Sequence, residues 1–118
     1  MILSTGLSFL VDRVREELGI ARALSNELLV HEGRLTGEIR IHVEHDNKGY
    51  WVQRILNELG LTPKEAAALG DGEGDRGMFE SVGLSVGYHP HPNVLPLLDH
   101  AVCNGSLASV ADILKLHR

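Results

Sequence analysis

The sequence predicts an α/β fold, three layers deep, with helices packed on a mainly parallel sheet and a small β-hairpin beside it. Three observations lead there. Strand-like and helix-like stretches alternate along nearly the whole chain, the pattern that βαβ units leave in a sequence. An apolar run ending in Leu69 breaks at Gly70 into a loop of alternating glycines and acids, and the carboxyl end of a strand is where ligands bind in open α/β sheets. The length of 118 residues, 43% apolar and 23% charged, suits one ordinary globular domain over 1–118.

The elements follow in order. Met1 to Ser4 reads as a short apolar strand, oddly placed because no approach segment precedes it. Leu7, Leu10, Val11, Val14 and Leu18 then share one helical stripe, and Gly19 closes that helix. Residues 27–41 alternate and are split by Glu32-Gly33, which predicts a hairpin pairing 28–31 with 34–39. From Asn47 a helix places Val52, Ile55, Leu56 and Leu59 on one face and stops at Gly60. Thr62-Pro63-Lys64-Glu65 is a capping-box sequence with proline at the first helical position. Strands are expected at 67–69, 84–88 and 100–103, although alanine at 66–68 favours helix. Short helices are expected after Asp75 as far as Val82, over 92–98, and from the cap Ser106 through Leu107, Val110, Ile113 and Leu114.

The loop Gly70-Asp71-Gly72-Glu73-Gly74-Asp75 holds two carboxylates on a tight strand-to-helix turn. Hard carboxylate oxygens of this kind suit Mg²⁺, which takes one or two protein carboxylates and fills its shell with water and phosphate oxygens. Two competing motifs fail on the letters. A calcium loop counted from Asp71 needs Gly and Glu where Arg76 and Val82 stand, and a dinucleotide fingerprint needs glycine where Asp75 stands. An ordinary turn with Asp75 as a helix cap stays open on this stretch alone.

The net charge of −5, without any run of Lys or Arg, argues against a nucleic-acid surface. A single cysteine, Cys103, allows no internal disulfide and suits the reducing cytosol; it is expected to be a small buried residue of its strand. No apolar run approaches a membrane span, and Met1 to Leu10 lacks the basic start of a signal peptide, so a cytoplasmic location is expected. His89 and His91, or His42 and His45 with Asp46, are weak candidates for a metal, and Trp51 and Phe79 are expected to be packing residues.

With these pieces placed, the chain resembles the haloacid-dehalogenase superfamily of phosphatases, in its phosphoserine-phosphatase-like branch. The second family motif, an apolar strand ending in Ser or Thr, is similar to Ile2-Leu3-Ser4-Thr5-Gly6. The third, a lysine at a helix start, is similar to Asn47-Lys48-Gly49, and the fourth, Gly-Asp-Gly-x-x-Asp, is matched by 70–75. The stretches 26–37 and 83–92 resemble the family's hairpin and the strand and loop that follow the fourth motif. The resemblance implies a Rossmann-like core and a Mg²⁺-dependent phosphomonoesterase. It implies that Ser4, with backbone amides near Thr5 and Gly6 at a helix start, binds phosphate. Lys48 would neutralise nucleophile and phosphate. Asp71 would bind Mg²⁺, and Asp75 would orient the metal's shell or Lys48.

Two departures stand out. The family's first motif, Asp-x-Asp, carries the nucleophile, and no Asp-x-Asp occurs in these residues; the usual cap is also missing, and Gly74 stands where this branch commonly has Asn. Without a nucleophile, covalent catalysis has no first step. The expectation is a core missing its first strand, inactive alone, whose site a homodimer or a second chain completes by supplying that strand, unless the strands ending at Ser4 and Leu69 pair directly with each other. The alternative is a non-catalytic binding or interaction module of the same fold. A phosphorylated small molecule is the expected ligand of an active form, and neither nucleic acid nor membrane is an expected partner.

Overall fold

The computed structural model describes residues 1–116. Among these residues six strands form two three-stranded sheets, ordered β1-β2-β3 and β4-β5-β6, and four α-helices accompany them. The Cα packing divides the chain into two compact units, Met1–His45 and the part from Asp46 onward.

In the first unit, β1 (Ile2–Leu7) leads into α1 (Ser8–Leu18), β2 (Ala23–His31) and β3 (Arg34–Arg40). β1 lies parallel to β2, with Ile2 beside Ala23, and this register makes a β1-α1-β2 unit. β2 is thus longer than the alternation at 27–41 suggested, because its first half pairs with β1 and only its second half with β3. The hairpin turns at Glu32-Gly33, both at positive φ (49° and 77°), the conformation that a two-residue primed turn requires. Gly19 ends α1 in the left-handed conformation, as expected. The stripe on α1 is less buried than its pattern suggested: Val11 is buried, whereas Leu10, Val14 and Leu18 are exposed. The buried residues here are Val11, Ser25, Asn26 and Val43.

In the second unit, α2 (Lys48–Leu59) is followed by β4 (Ala67–Gly70), α3 (Arg76–Glu80), β5 (Leu84–Tyr88), β6 (His100–Val102) and α4 (Ser109–Leu116). β4, β5 and β6 are all parallel, in register Leu69–Val86 and Val86–His100. Val86 and Val102 pack with Val110 of α4, joined by Leu84, Tyr88 and Ile113. Alanine's helical preference at 67–68 is overridden because β5 supplies a full ladder of partners. The capping box forms: the Thr62 N–H donates to Glu65 Oε2 at 2.8 Å and starts a 3₁₀ turn over Pro63–Glu65.

Several expectations are corrected here. Residues 92–98 do not form a helix. A 3₁₀ turn over Leu95–Leu97 follows the fully buried Val94, and Ser85 pins this segment: its hydroxyl donates to the Leu97 carbonyl at 3.0 Å and accepts the Asp99 N–H at 3.1 Å. The helix after the acidic loop stops at Glu80, short of Val82. Ser106 opens a turn by accepting the Ala108 N–H at 3.1 Å, and α4 begins only at Ser109. Cys103 lies past the end of β6 and is exposed, since the strand pairing ends at Val102. The helix after β1 begins at Ser8, so Thr5 and Gly6 are strand residues rather than the first residues of a helix.

Candidate functional site

The centre of the second unit is Asp75. Gly70 ends β4, the loop curls back through a 3₁₀ turn over Glu73–Asp75, and Asp75 is buried at 6% exposure. One carboxylate oxygen, Oδ2, accepts the N–H groups of Asp71 (3.0 Å) and Gly72 (3.2 Å). The other, Oδ1, accepts from the Lys48 ammonium at 2.6 Å. Burial pushes the Asp75 carboxyl up. The hydrogen bond from Lys48, the two loop amides and the lysine's charge together outweigh burial and hold it below the ordinary aspartate value. Asp75 is therefore an anion that locks the loop and fixes a cation.

Lys48 is the first residue of α2, where the helix dipole disfavours positive charge. The Asp75 carboxylate offsets that placement. Two glycines make the approach possible: a Cβ on Gly49 would lie 2.8 Å from the Gly77 carbonyl oxygen, so α2 and α3 touch backbone to backbone at this point. Gly70 is needed for a related reason, because a Cβ there would overlap the Asp75 carboxylate.

Asp71 is exposed and lines a groove of about 530 Å³ with Leu69, Gly70, Tyr88, His89 and Leu107. This groove lies at the carboxyl ends of β4 and β5, the location general to ligand sites of parallel sheets. A second loop, 89–94, braces the first. The His91 N–H donates to the Asp71 carbonyl at 2.7 Å, Asn93 Nδ2 donates to Glu73, and Arg76 donates to the Asn93 carbonyl at 3.1 Å. His89 itself sits at φ 47°, a left-handed conformation costly for a residue with a side chain.

In the first unit, Ser4, Thr5 and Gly6 form a small turn within β1: the Gly6 N–H donates to Ser4 Oγ at 2.9 Å. That bond occupies one acceptor position of the hydroxyl and leaves its proton available to an anion. The Asn26 side chain, buried at 6% exposure, backs this turn from β2.

The structure thus gathers Lys48, Asp71 and Asp75 around one loop of the second unit, and Ser4, Thr5 and Gly6 in one turn of the first. Sequence reasoning missed Asn26, Gly49, Gly77 and the brace through His91 and Asn93. Only the glycines left a signal, since glycine inside a helix is disfavoured without a packing reason. Among the described residues no group of three or more His, Cys, Asp or Glu is placed to hold a metal, the histidine pairs included. Also among these residues, no helix is long and apolar enough to cross a membrane.

Known proteins resemble this chain in sequence and in fold. The family model for haloacid dehalogenase-like hydrolases matches residues 1–80. The chain is 34% identical over 116 residues to a phosphoserine phosphatase of Archaeoglobus fulgidus, covering 98% of this chain and 34% of that protein. Among solved structures, a probable phosphoserine phosphatase from Vibrio cholerae matches with a TM-score of 0.89 at 30% identity, over 98% of this chain and 36% of that one. A phosphoserine phosphatase in apo form matches with a TM-score of 0.85 at 28% identity, over 93% of this chain and 56% of that one. The chain therefore spans between 34% and 56% of the length of these relatives.

Proposed function

The chain belongs to the haloacid dehalogenase-like hydrolase family, as a phosphoserine-phosphatase-like domain, and from that premise we propose that it carries the phosphate-binding and charge-neutralising part of a phosphomonoesterase. The observation that carries this reading is the Lys48–Asp75 pair locked beneath the 70–75 loop. Phosphoryl transfer asks the protein mainly for positioning and charge stabilisation, and a lysine fixed by a buried carboxylate supplies both. Asp71, an exposed hard donor at the groove, is the residue that would hold Mg²⁺, with water and phosphate oxygens completing the shell. When bound, that ion would neutralise phosphate charge. Both Asp75 oxygens are already engaged, which supports a role in orienting Lys48 and the loop. Ser4, its hydroxyl proton available, would donate to a phosphate oxygen, and the amides of Thr5 and Gly6 frame its turn.

The nucleophile must come from outside these 118 residues, because they contain no Asp-x-Asp. Alone, this chain binds rather than hydrolyses. β1 and β4 are each an edge of their own sheet, with backbone groups that another strand can pair, and the completing strand would come from a second chain or a second copy. The reducing cytosol is the compartment that the single cysteine suits.

An amide NMR titration with Mg²⁺ and inorganic phosphate tests the binding reading. Shifts are expected at 4–6 and 70–75, with affinities no tighter than about micromolar. No shift in either segment at millimolar ligand leaves a non-catalytic interaction module as the function. Purified chain is expected to show no Mg²⁺-dependent hydrolysis of phosphoserine. Turnover that Asp71→Asn abolishes would overturn the claim that the site is incomplete. Sedimentation of a strictly monomeric, well-folded chain would count against the completing copy.

A further inference from the structure

Asn26 is a buried amide with every hydrogen-bonding position filled. Its Nδ2 donates to the Thr5 carbonyl at 3.1 Å and to the Val43 carbonyl at 2.9 Å. Its Oδ1 accepts the N–H groups of His42 at 2.8 Å and Val43 at 2.9 Å. A primary amide has two donor protons and two acceptor lone pairs, so nothing is left over. Such a residue ties a strand to a segment outside the sheet: it links the Ser4–Gly6 turn of β1 to segment 42–43, which follows the hairpin.

The contact with Thr5 reaches further than one hydrogen bond. The Thr5 carbonyl and the Gly6 N–H belong to one planar trans peptide and point in opposite directions. Asn26 holds the oxygen end of that plane, and Ser4 Oγ holds the nitrogen end at 2.9 Å. With both ends pinned, the peptide cannot rotate, and the acceptor lone pair that Ser4 uses is fixed. The hydroxyl proton is thereby confined to the two remaining staggered positions about the Cβ–Oγ bond. We propose that Asn26 is the positioning residue of this turn, setting through the Thr5–Gly6 peptide where the Ser4 hydroxyl presents its proton to a phosphate oxygen. This rests on the reading of Ser4 as a phosphate donor, but the peptide clamp itself does not.

Thr36 and Glu27 are engaged elsewhere in the first unit. Thr36 bonds within the hairpin, to the Leu29 carbonyl and the Glu38 N–H, and the Glu27 carboxylate lies 3.4 Å from Arg40 and 3.6 Å from His42. Asn26 places its side chain on the 4–6 turn.

The test is Asn26→Asp in the full 118-residue chain. The substitution keeps the oxygen that serves His42 and Val43 and replaces the donor with a second oxygen facing two carbonyls. The Gly6 amide resonance is expected to move and its hydrogen exchange to accelerate at least tenfold. The His42 and Val43 amides should stay hydrogen-bonded although their resonances shift as their acceptor becomes a carboxylate oxygen, and those of Val86, Val102 and Val110 should stay in place as a control for the fold of the second unit. Phosphate-induced shifts at 4–6 are expected to require about fivefold more ligand, the loss of one ordinary hydrogen bond. An unmoved Gly6 amide overturns the clamp whatever phosphate does. If wild-type shows no phosphate shift at all, the phosphate reading fails while the Gly6 readout still decides the clamp. Should the variant not fold, the wild-type chain carries the decision: the Asn26 side-chain amide protons should exchange at least tenfold more slowly than those of exposed Asn57 and Asn104. Equal rates overturn the inference.

Discussion

Replacing Lys48 by methionine keeps much of the stem and removes the ammonium, leaving the Asp75 carboxylate buried without its cation. The two side chains are 12% and 9% exposed, so water cannot take the lysine's place without rearrangement. Removing one partner of a buried pair typically costs about 3–5 kcal/mol. Asp75 would still accept the Asp71 and Gly72 amides, which softens the loss to about 2–3 kcal/mol at pH 7. For a chain of this size that is a fall in melting temperature of roughly 6–18 °C. The pH dependence has a definite sign. Asp75 is held below the ordinary aspartate value, against the upward push of burial, by Lys48 and the loop amides. Its contribution is therefore fully present above the unfolded value, about 3.9, and is lost as pH falls through the lower folded value. In Lys48→Met the upward push of burial meets less opposition and the carboxyl rises. The deficit against wild type is thus greatest near neutrality and narrows toward about pH 4. Urea unfolding at both pH values measures it. The double variant Lys48→Met/Asp75→Asn should recover at least about 1 kcal/mol, because no charge is then left buried. A loss below about 1 kcal/mol at pH 7, or a double variant as unstable as the sum of the singles, would refute the reasoning.

Two further outcomes are expected. Gly49→Ala places a Cβ 2.8 Å from the Gly77 carbonyl oxygen and must push α2 from α3, costing about 1–3 kcal/mol, with amide shifts concentrated at Lys48 and Asp75; an alanine variant as stable as wild type would mean that the two helices do not meet there. Glu32→Asn relieves a left-handed φ of 49° in the hairpin turn and should stabilise by about 0.5–1 kcal/mol in thermal unfolding, an effect absent if the turn is not of the primed type.

Much of the local structure was legible in the residues. Gly19 and Gly60 ended their helices, Glu32-Gly33 made the hairpin turn, and the Thr62–Glu65 box closed as its letters suggest, because each depends on contacts within a few residues. The order of Ser4, Lys48 and the 70–75 loop was legible too, since motif spacing survives without coordinates, and the family match bears out the resemblance. Tertiary structure decided the rest. β2 serves two partners of opposite direction, which no periodicity within one strand can announce. Residues 92–98 look helical by composition, yet Ser85 and the burial of Val94 bend them into a 3₁₀ turn. Asn26, an ordinary polar letter among strand residues, became a four-way tie only when three chain segments converged on it. The same holds for Asp75. Its sequence position suggested a helix cap or a metal ligand, but a lysine 27 residues away and two amides of its own loop fixed both of its oxygens, because a buried carboxylate must be neutralised by whatever the fold brings within reach.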